Sequence, residues 1–283
     1  MRLSGFSPIP QKITPEYLSM QTDLLTQAGL TVTSIGKTVQ GRDIPAFRWG
    51  RGEKNLLYVG GHHAMEWMTA VILFRFAQAL CMGGRQEYGL DLLYLQKSRT
   101  LWILPLLNVD GAILHGTGDE KYAKWQANAN GVDLNHNYDA GFADYKIMEK
   151  ALGIIGPGPT RFAGPAPESE PESRALAEFV RQTNPHLLLT LHTQGEEIFS
   201  PPPKGKEATW KRMLASVAAL SGYHVSVPEG SAAYGGLADY AAATLGIPSF
   251  TLECGKGENP LPPMLAGELF LRLRRLLFSA MIL

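Results

Sequence analysis

The 283-residue chain is short of charge imbalance, cysteine and long apolar runs, and each shortage excludes something. Lys and Arg number 26 against 26 Asp and Glu, so the formal net charge is zero. A nucleic-acid binder usually carries a basic excess to neutralise phosphates, and none is present. Charged residues make up 18% and hydrophobic ones 45%, the reverse of the balance that keeps a chain disordered. No run approaches the ~18 uncharged apolar residues of a membrane span. Only Cys81 and Cys254 are present, too few for a disulfide framework. The opening MRLSGFSPIPQKITPEY lacks a basic-then-apolar signal pattern. With so few cysteines, that predicts a protein of the reducing cytoplasm.

What is present is an alternation of short apolar runs with longer helical ones, which predicts an α/β fold. Thr14 to Gln27 reads as a helix, and residues 31–39 and 44–49 as a strand pair joined near Gln40-Gly41-Arg42-Asp43. Residues 56–61 form a buried strand, followed over 66–80 by a helix apolar nearly all round, which must pack deep against a sheet. Residues 101–107, 186–192 and 249–254 are further buried strands. Ser169-Glu170-Pro171-Glu172 has capping-box spacing with proline early in the first turn, and the helix it opens stops before Asn184-Pro185. In the C-terminal tail, Leu265, Leu269, Leu273 and Leu276 keep one apolar face while Glu268, Arg272, Arg274 and Arg275 interrupt the rest. That is a packed helix, not a membrane segment.

Four of the buried strands run into polar residues. Residues 56–61 lead to His62-His63 with Glu66 beyond, and 101–107 lead to Asn108-Val109-Asp110-Gly111. The third ends on His192 and the fourth carries Glu253. In a mostly parallel sheet these ends share one edge, where open α/β folds place their ligand crevice. His63 and Glu66, one turn apart, can aim at a single ion; with His192 they make the three-ligand set of catalytic zinc. A backbone-bonded histidine and a helix-starting glutamate would give the same pair, and chance alone supplies this spacing often. His62 is the rival ligand, although a structural role suits it better. Glu253, a carboxylate ending an apolar strand, is a candidate general base or else an ordinary partner of a cation. Asp133, in Gly131-Val-Asp-Leu-Asn135, is either support for a ligating histidine or a turn residue. Tyr234 sits among small residues, Gly230 to Gly236, in a loop able to move over a cleft.

Taken in order, these pieces resemble the zinc carboxypeptidase family. His63-Ala-Met-Glu66-Trp67 is similar to its His-Ala-x-Glu-Trp motif, and Asn108-Val-Asp110-Gly111 to its Asn-Pro-Asp-Gly turn. Gly131-Val-Asp-Leu-Asn135-His136-Asn137-Tyr138 is similar to its Gly-Val-Asp-x-Asn-Arg-Asn-aromatic segment. Ser169 to Glu172, His192, Tyr234 and Glu253 follow in the family's sequence of features. The resemblance implies a single catalytic domain over 1–283, with residues 1–50 as an N-terminal helix and edge strands and no pro-domain. Its fold would be a mixed, mostly parallel twisted sheet with helices on both faces. It also implies one zinc ion on His63, Glu66 and His192, Glu253 as base, Asp133 behind a ligand, and Asn135, His136 and Tyr234 on the substrate.

Within the family, the segments Leu191 to Phe199 and Glu253 to Leu261 look most like bacterial γ-D-glutamyl-L-diamino acid endopeptidases. That implies a small muropeptide substrate, with no nucleic acid or membrane partner and no statement on oligomeric state. Two departures bear on substrate. His136 stands where digestive members have an arginine that clamps a terminal carboxylate, and a histidine near pKa ~6.5 is mostly neutral at pH 7. Lys124-Trp-Gln126-Ala-Asn128 lacks the arginine that stabilises the oxyanion, leaving Lys124 or Arg161 as substitutes. A broad-specificity carboxypeptidase, an N-acyl amino acid deacylase and a silent zinc peptide-binding protein are the competing expectations.

Overall fold

The computed structural model describes residues 5–283. Its strands, in chain order, are β1 (Thr31–Lys37), β2 (Asp43–Gly50), β3 (Lys54–Val59), β4 (Gln86–Glu87), β5 (Leu90–Asp91), β6 (Arg99–Leu104), β7 (Leu187–His192), β8 (Glu197–Phe199), β9 (His224–Val225) and β10 (Ser249–Glu253). β4 and β5 form a separate ribbon, and the other eight make one sheet in the order β1-β2-β6-β3-β7-β10-β8-β9. The central strands β6, β3, β7 and β10 run parallel. Antiparallel pairing is confined to β1 with β2, β2 with β6, and β10 with β8.

The two-residue period of a strand sends alternate side chains to opposite faces. Leu56, Tyr58, Leu187, Leu189 and Leu191 join one core cluster, whereas Leu57, Val59 and Leu188 join the other. Helices Met68–Met82 and Leu265–Ser279 cover the first face, and Pro171–Thr183 and Leu237–Leu245 cover the second. The sheet is therefore mixed, mostly parallel and covered on both sides, as expected. One detail of the membrane reading changes. Ala64–Met82 is long and apolar enough by composition to cross a bilayer, yet 89% of its most apolar window is buried inside the fold. Its apolarity is spent on the core, as the all-round pattern predicts.

The Ser169 capping box is corrected. The helix starts at Pro171 with Glu170 in the cap position, and no side chain caps it. Glu170 and Glu172 instead accept hydrogen bonds from Asn128 Nδ2 at 2.8 and 3.1 Å, tying the helix start to the loop before Gly131. These carboxylates hold a neighbouring loop rather than their own helix end.

How the crevice edge is built shows at the exits of β3 and β6. Gly61 has φ +63°, a left-handed conformation open to glycine, and a Cβ there would lie 2.4 Å from Leu106 Cδ1. That close approach lets Asn108 N–H donate to the Gly61 carbonyl at 2.9 Å. Asn108, fully buried, then donates through Nδ2 to the carbonyls of His62, Gln126 and Ala127 at 3.0, 3.2 and 2.9 Å. One side chain thus joins three segments beneath His63. Replacing Asn108 with Ala leaves buried carbonyls unpaired, which costs about 1–3 kcal/mol for each group left unsatisfied. Urea unfolding of Asn108→Ala should show a loss of at least ~2 kcal/mol; a loss below ~0.5 kcal/mol would remove this residue from the account of the edge.

Candidate active site

Parallel pairing places Glu253 in register with His192, and Val59 with Thr190. His63, four residues past the end of β3, therefore arrives beside His192. It sits in extended conformation at the start of a short turn, Ala64–Glu66, that swings Glu66 back toward it. One ligand atom from each of His63, Glu66 and His192 lies within 4.8 Å of the others. His63 Nδ1 is 2.9 Å from Glu66 Oε1 and 3.3 Å from His192 Nδ1, and His192 Nδ1 is 3.2 Å from Glu66 Oε2. His62 stands apart: its Nε2 meets the Tyr138 hydroxyl at 3.1 Å, and its ring stacks on His192.

Asp133 decides which nitrogen of His63 faces the cluster. Its Oδ1 lies 3.2 Å from His63 Nε2, so that nitrogen carries the proton and Nδ1 is left as an acceptor. Asp133 also accepts from the backbone N–H of Asn135 at 3.3 Å and of Arg161 at 2.9 Å. Asp133 thus caps its own turn and also reaches the ring of His63, so its two expected roles do not exclude each other. With Nδ1 of His63 an acceptor, imidazole and carboxylate lone pairs converge on one point. A proton or a cation must sit among them, and two imidazoles with a carboxylate are a donor set that suits zinc.

The electrostatics follow from that crowding. Burial works against a charged His63, but the Glu66 and Asp133 carboxylates outweigh it and hold its pKa well above the usual value. Burial likewise opposes ionised Glu66, yet His63 and His192 bring it down to about 2. Glu253, half-buried at the cleft wall, is pushed up to about 8 by desolvation and then by the negative Glu66. His136 moves down through burial, so it is neutral; its ring stacks on Tyr145 at 4.1 Å and its Nδ1 meets the Tyr234 carbonyl at 2.9 Å.

A cleft of about 210 Å³ opens over these groups. His63, His192, Asp133, Asn135, His136, Arg161 and Glu253 all line it. Asn135 uses its Oδ1 on the Leu237 N–H at 3.2 Å, which leaves its amide N–H groups for the cleft. Two predicted residues lie elsewhere. Lys124 is exposed and does not line the cleft. Tyr234 packs its ring with Phe142, Tyr145 and Ala163 beside the cleft, contributing only its carbonyl to His136. A larger cavity of about 470 Å³, floored by Leu18, Phe74, Leu106 and Val109, gathers no comparable set of titratable groups. Its Arg42 and Asp43 are already paired with Asp110 and Lys37.

Some residues at the cleft or behind it receive no role from the sequence. Gln126 accepts from the Thr160 hydroxyl, and Asn259 Nδ2 donates to Glu66 Oε1 at 3.3 Å. Asp239 lines the cleft from the first turn of helix Leu237–Leu245, where an acidic residue is unremarkable in sequence. Gln126 lies in the 124–128 segment noted for its missing arginine, and Asn259 in the 253–261 segment whose resemblance draws notice.

The model of the zinc carboxypeptidase family matches residues 25–270. The chain is 31% identical over 250 residues to γ-D-glutamyl-L-diamino acid endopeptidase 1 of Lysinibacillus sphaericus, a match covering 81% of this chain and 62% of that relative's length. Bovine thrombin-activatable fibrinolysis inhibitor superposes with a TM-score of 0.75 at 20% identity, covering 96% of both chains. Murein-tripeptide amidase of Escherichia coli O157 gives 0.58 at 20% identity over 89% of this chain and 94% of its own.

The charge states give a pH dependence whose sign is fixed. At pH 7 without metal, His63 holds its extra proton and Glu253, at about 8, is mostly protonated. A divalent cation in the cluster must displace the first and favours loss of the second. Zinc binding should therefore release more than one proton at pH 7 and tighten from pH 6 to pH 8. Calorimetry in buffers of different ionisation enthalpy measures this, and pH-independent affinity would contradict the assigned charge states.

Proposed function

The chain belongs to the zinc carboxypeptidase family, and from that premise we propose that it hydrolyses the γ-D-glutamyl–meso-diaminopimelate amide of cell-wall-derived peptides. His63, Glu66 and His192 are the residues that would hold the metal, and Asp133 fixes the tautomer of His63. When bound there, zinc supplies Lewis-acid polarisation of the amide and of the attacking water. The observation that carries the reading is Glu253, a half-buried cleft carboxyl with a raised pKa, in register with a histidine of the acceptor cluster. It takes the proton of the attacking water and delivers it to the leaving nitrogen. A peptide-binding protein without turnover has no use for a base at that position.

Arg161 lines the cleft and Lys124 does not, which makes Arg161 the cation available to a developing oxyanion. Its backbone is held at φ +65° by two hydrogen bonds: its N–H donates to Asp133, and its carbonyl accepts from the Tyr145 hydroxyl at 2.8 Å. The substrate class rests on His136 and on the 31%-identical relative. A neutral ring already engaged through Nδ1 cannot clamp a carboxylate bidentately as arginine does. The second reading, a broad-specificity carboxypeptidase, draws on the same Arg161, whose guanidinium could hold a terminal carboxylate instead.

Incubation of zinc-loaded protein with L-Ala-γ-D-Glu-meso-diaminopimelate and with matched α-linked peptides, scored by mass, separates the two. Cleavage of the γ-linked peptide is expected, and cleavage of the α-linked set alone would reject the substrate assignment. Glu253→Gln should keep its zinc and lose at least ~10²-fold in kcat, the lower end for removal of a general base. Unchanged turnover in that variant would end Glu253's role.

A further inference from the structure

Asn259 makes a contact that the chemistry above does not use. It follows Glu253 in the chain beyond the exposed Lys256, Gly257 and Glu258, yet its side chain returns to the cluster. Its Nδ2 donates to the Thr193 carbonyl at 2.7 Å and to Glu66 Oε1 at 3.3 Å, and its Oδ1 accepts from the Thr193 hydroxyl at 2.7 Å. A flipped amide would set Oδ1 against a carbonyl and a carboxylate, so these partners fix which end faces Glu66. Thr193 completes the hold, because its backbone N–H donates to Glu66 Oε2 at 3.1 Å. Each oxygen of the buried Glu66 therefore meets one uncharged donor and one imidazole nitrogen. Oε1 faces His63 Nδ1 at 2.9 Å and Oε2 faces His192 Nδ1 at 3.2 Å.

Loop closure alone accounts for part of this. The backbone already ties the segment after β7 to the segment after β10. Cys254 N–H donates to the His192 carbonyl, Glu196 N–H to the Glu253 carbonyl and Gly195 N–H to the Gly255 carbonyl, each at 2.8 Å. The two 2.7 Å contacts between Asn259 and Thr193 extend that closure. Neither requires the remaining amide N–H to point at a buried carboxylate. The kind of donor matters as well. A lysine or arginine in that place would neutralise Glu66 and repel a metal ion, whereas two uncharged N–H groups orient the carboxylate and leave its charge for the cation. The Thr193 N–H belongs to the main chain, so Asn259 is the donor that the sequence specifies.

We propose that Asn259 is a positioning residue for the metal centre. Locked by the Thr193 hydroxyl, its amide holds Glu66 with one oxygen turned to each histidine. This goes beyond the peptide substrate and rests only on the reading of His63, Glu66 and His192 as metal ligands. It also ties the metal centre to the loop that starts at Glu253.

The test measures metal binding, so a wrong substrate assignment leaves it standing. Zinc affinity comes from competition with a chromophoric chelator. The visible spectrum of cobalt-loaded protein reports the number and arrangement of ligands, and heat unfolding of the metal-free protein reports the fold. Asn259→Ala should bind zinc about 10-fold more weakly, the lower end for loss of a group that hydrogen-bonds a metal ligand, and should alter the cobalt spectrum. Thr193→Val keeps the backbone N–H to Glu66 but frees the amide, and should weaken zinc binding and alter the spectrum in the same direction. Thr193→Ser retains a hydroxyl and should restore wild-type affinity and spectrum. A loop-closing role alone would lower the unfolding temperature of Asn259→Ala and leave the cobalt spectrum untouched. That outcome, wild-type zinc affinity in Asn259→Ala, or a Thr193→Ser protein as weak as Thr193→Val would overturn the proposal. Should Asn259→Ala not fold, the two Thr193 variants decide it. Wild-type protein that took up neither zinc nor cobalt would overturn the metal site itself, and this inference with it.

Discussion

Parallel pairing of β7 with β10 is the constraint on which the rest depends. Backbone hydrogen bonds set Glu253 opposite His192, so their separation follows from ladder register rather than from any side-chain contact. A slip of one residue would turn both to the opposite face, into the cluster of Leu191, Phe250 and Leu252. Strand β7 is apolar on both faces, and its polar members Thr190 and His192 share one of them; a slip would carry both into that apolar layer. Core packing thereby fixes the spacing of the polar pair.

Asp133 does the corresponding work on the other side of the cluster. It receives the N–H groups of Asn135 and Arg161 and the ring N–H of His63. The carboxylate that selects the histidine tautomer also folds the turn presenting Asn135 and His136, and it pins the backbone of Arg161. Orientation of the His63 ring and placement of Arg161 are thus coupled through two oxygen atoms. These contacts and Coulombic attraction hold Asp133 well below the usual carboxylate range despite burial.

The sequence made the sheet and the cluster legible for one reason: both are written in short local patterns. Strand-length apolar runs ending in His62-His63, His192 and Glu253 mark one edge of a parallel sheet, whatever their separation in the chain. The Asp133 turn and the helix from Met68 are equally local. What stayed hidden depends on where loops meet. Nothing near Lys124 shows that it faces solvent while Arg161, across a Gly/Pro-rich connection, reaches the cleft. Tyr234 has the right small neighbours, but its ring position is set by Phe142 and Tyr145 from another segment. Ser169 has capping-box spacing, yet the adjacent carboxylates are drawn off by Asn128, a partner forty residues upstream. Asp239 is invisible because a first-turn aspartate serves a helix equally well with or without a cleft beside it.

The low charged fraction acquires a physical meaning from where the charges lie. Glu66, Asp110, Asp133, Glu149, Glu170 and Glu172 are all buried in a chain whose charged residues make up only 18%. Glu170 and Glu172 are held by asparagine amides, and Glu149 accepts both Lys146 and the Ala163 N–H. Amide donors satisfy Glu170 and Glu172 without neutralising them, whereas Asp110 and Glu149 each face a cation, Arg42 and Lys146. Charges inside are screened by salt far less than exposed ones. Burial first, and then the neighbouring Glu66, disfavour ionisation of Glu253. Glu66, which holds Glu253 toward its neutral form, is also the carboxylate of the cluster whose donor set suits a cation.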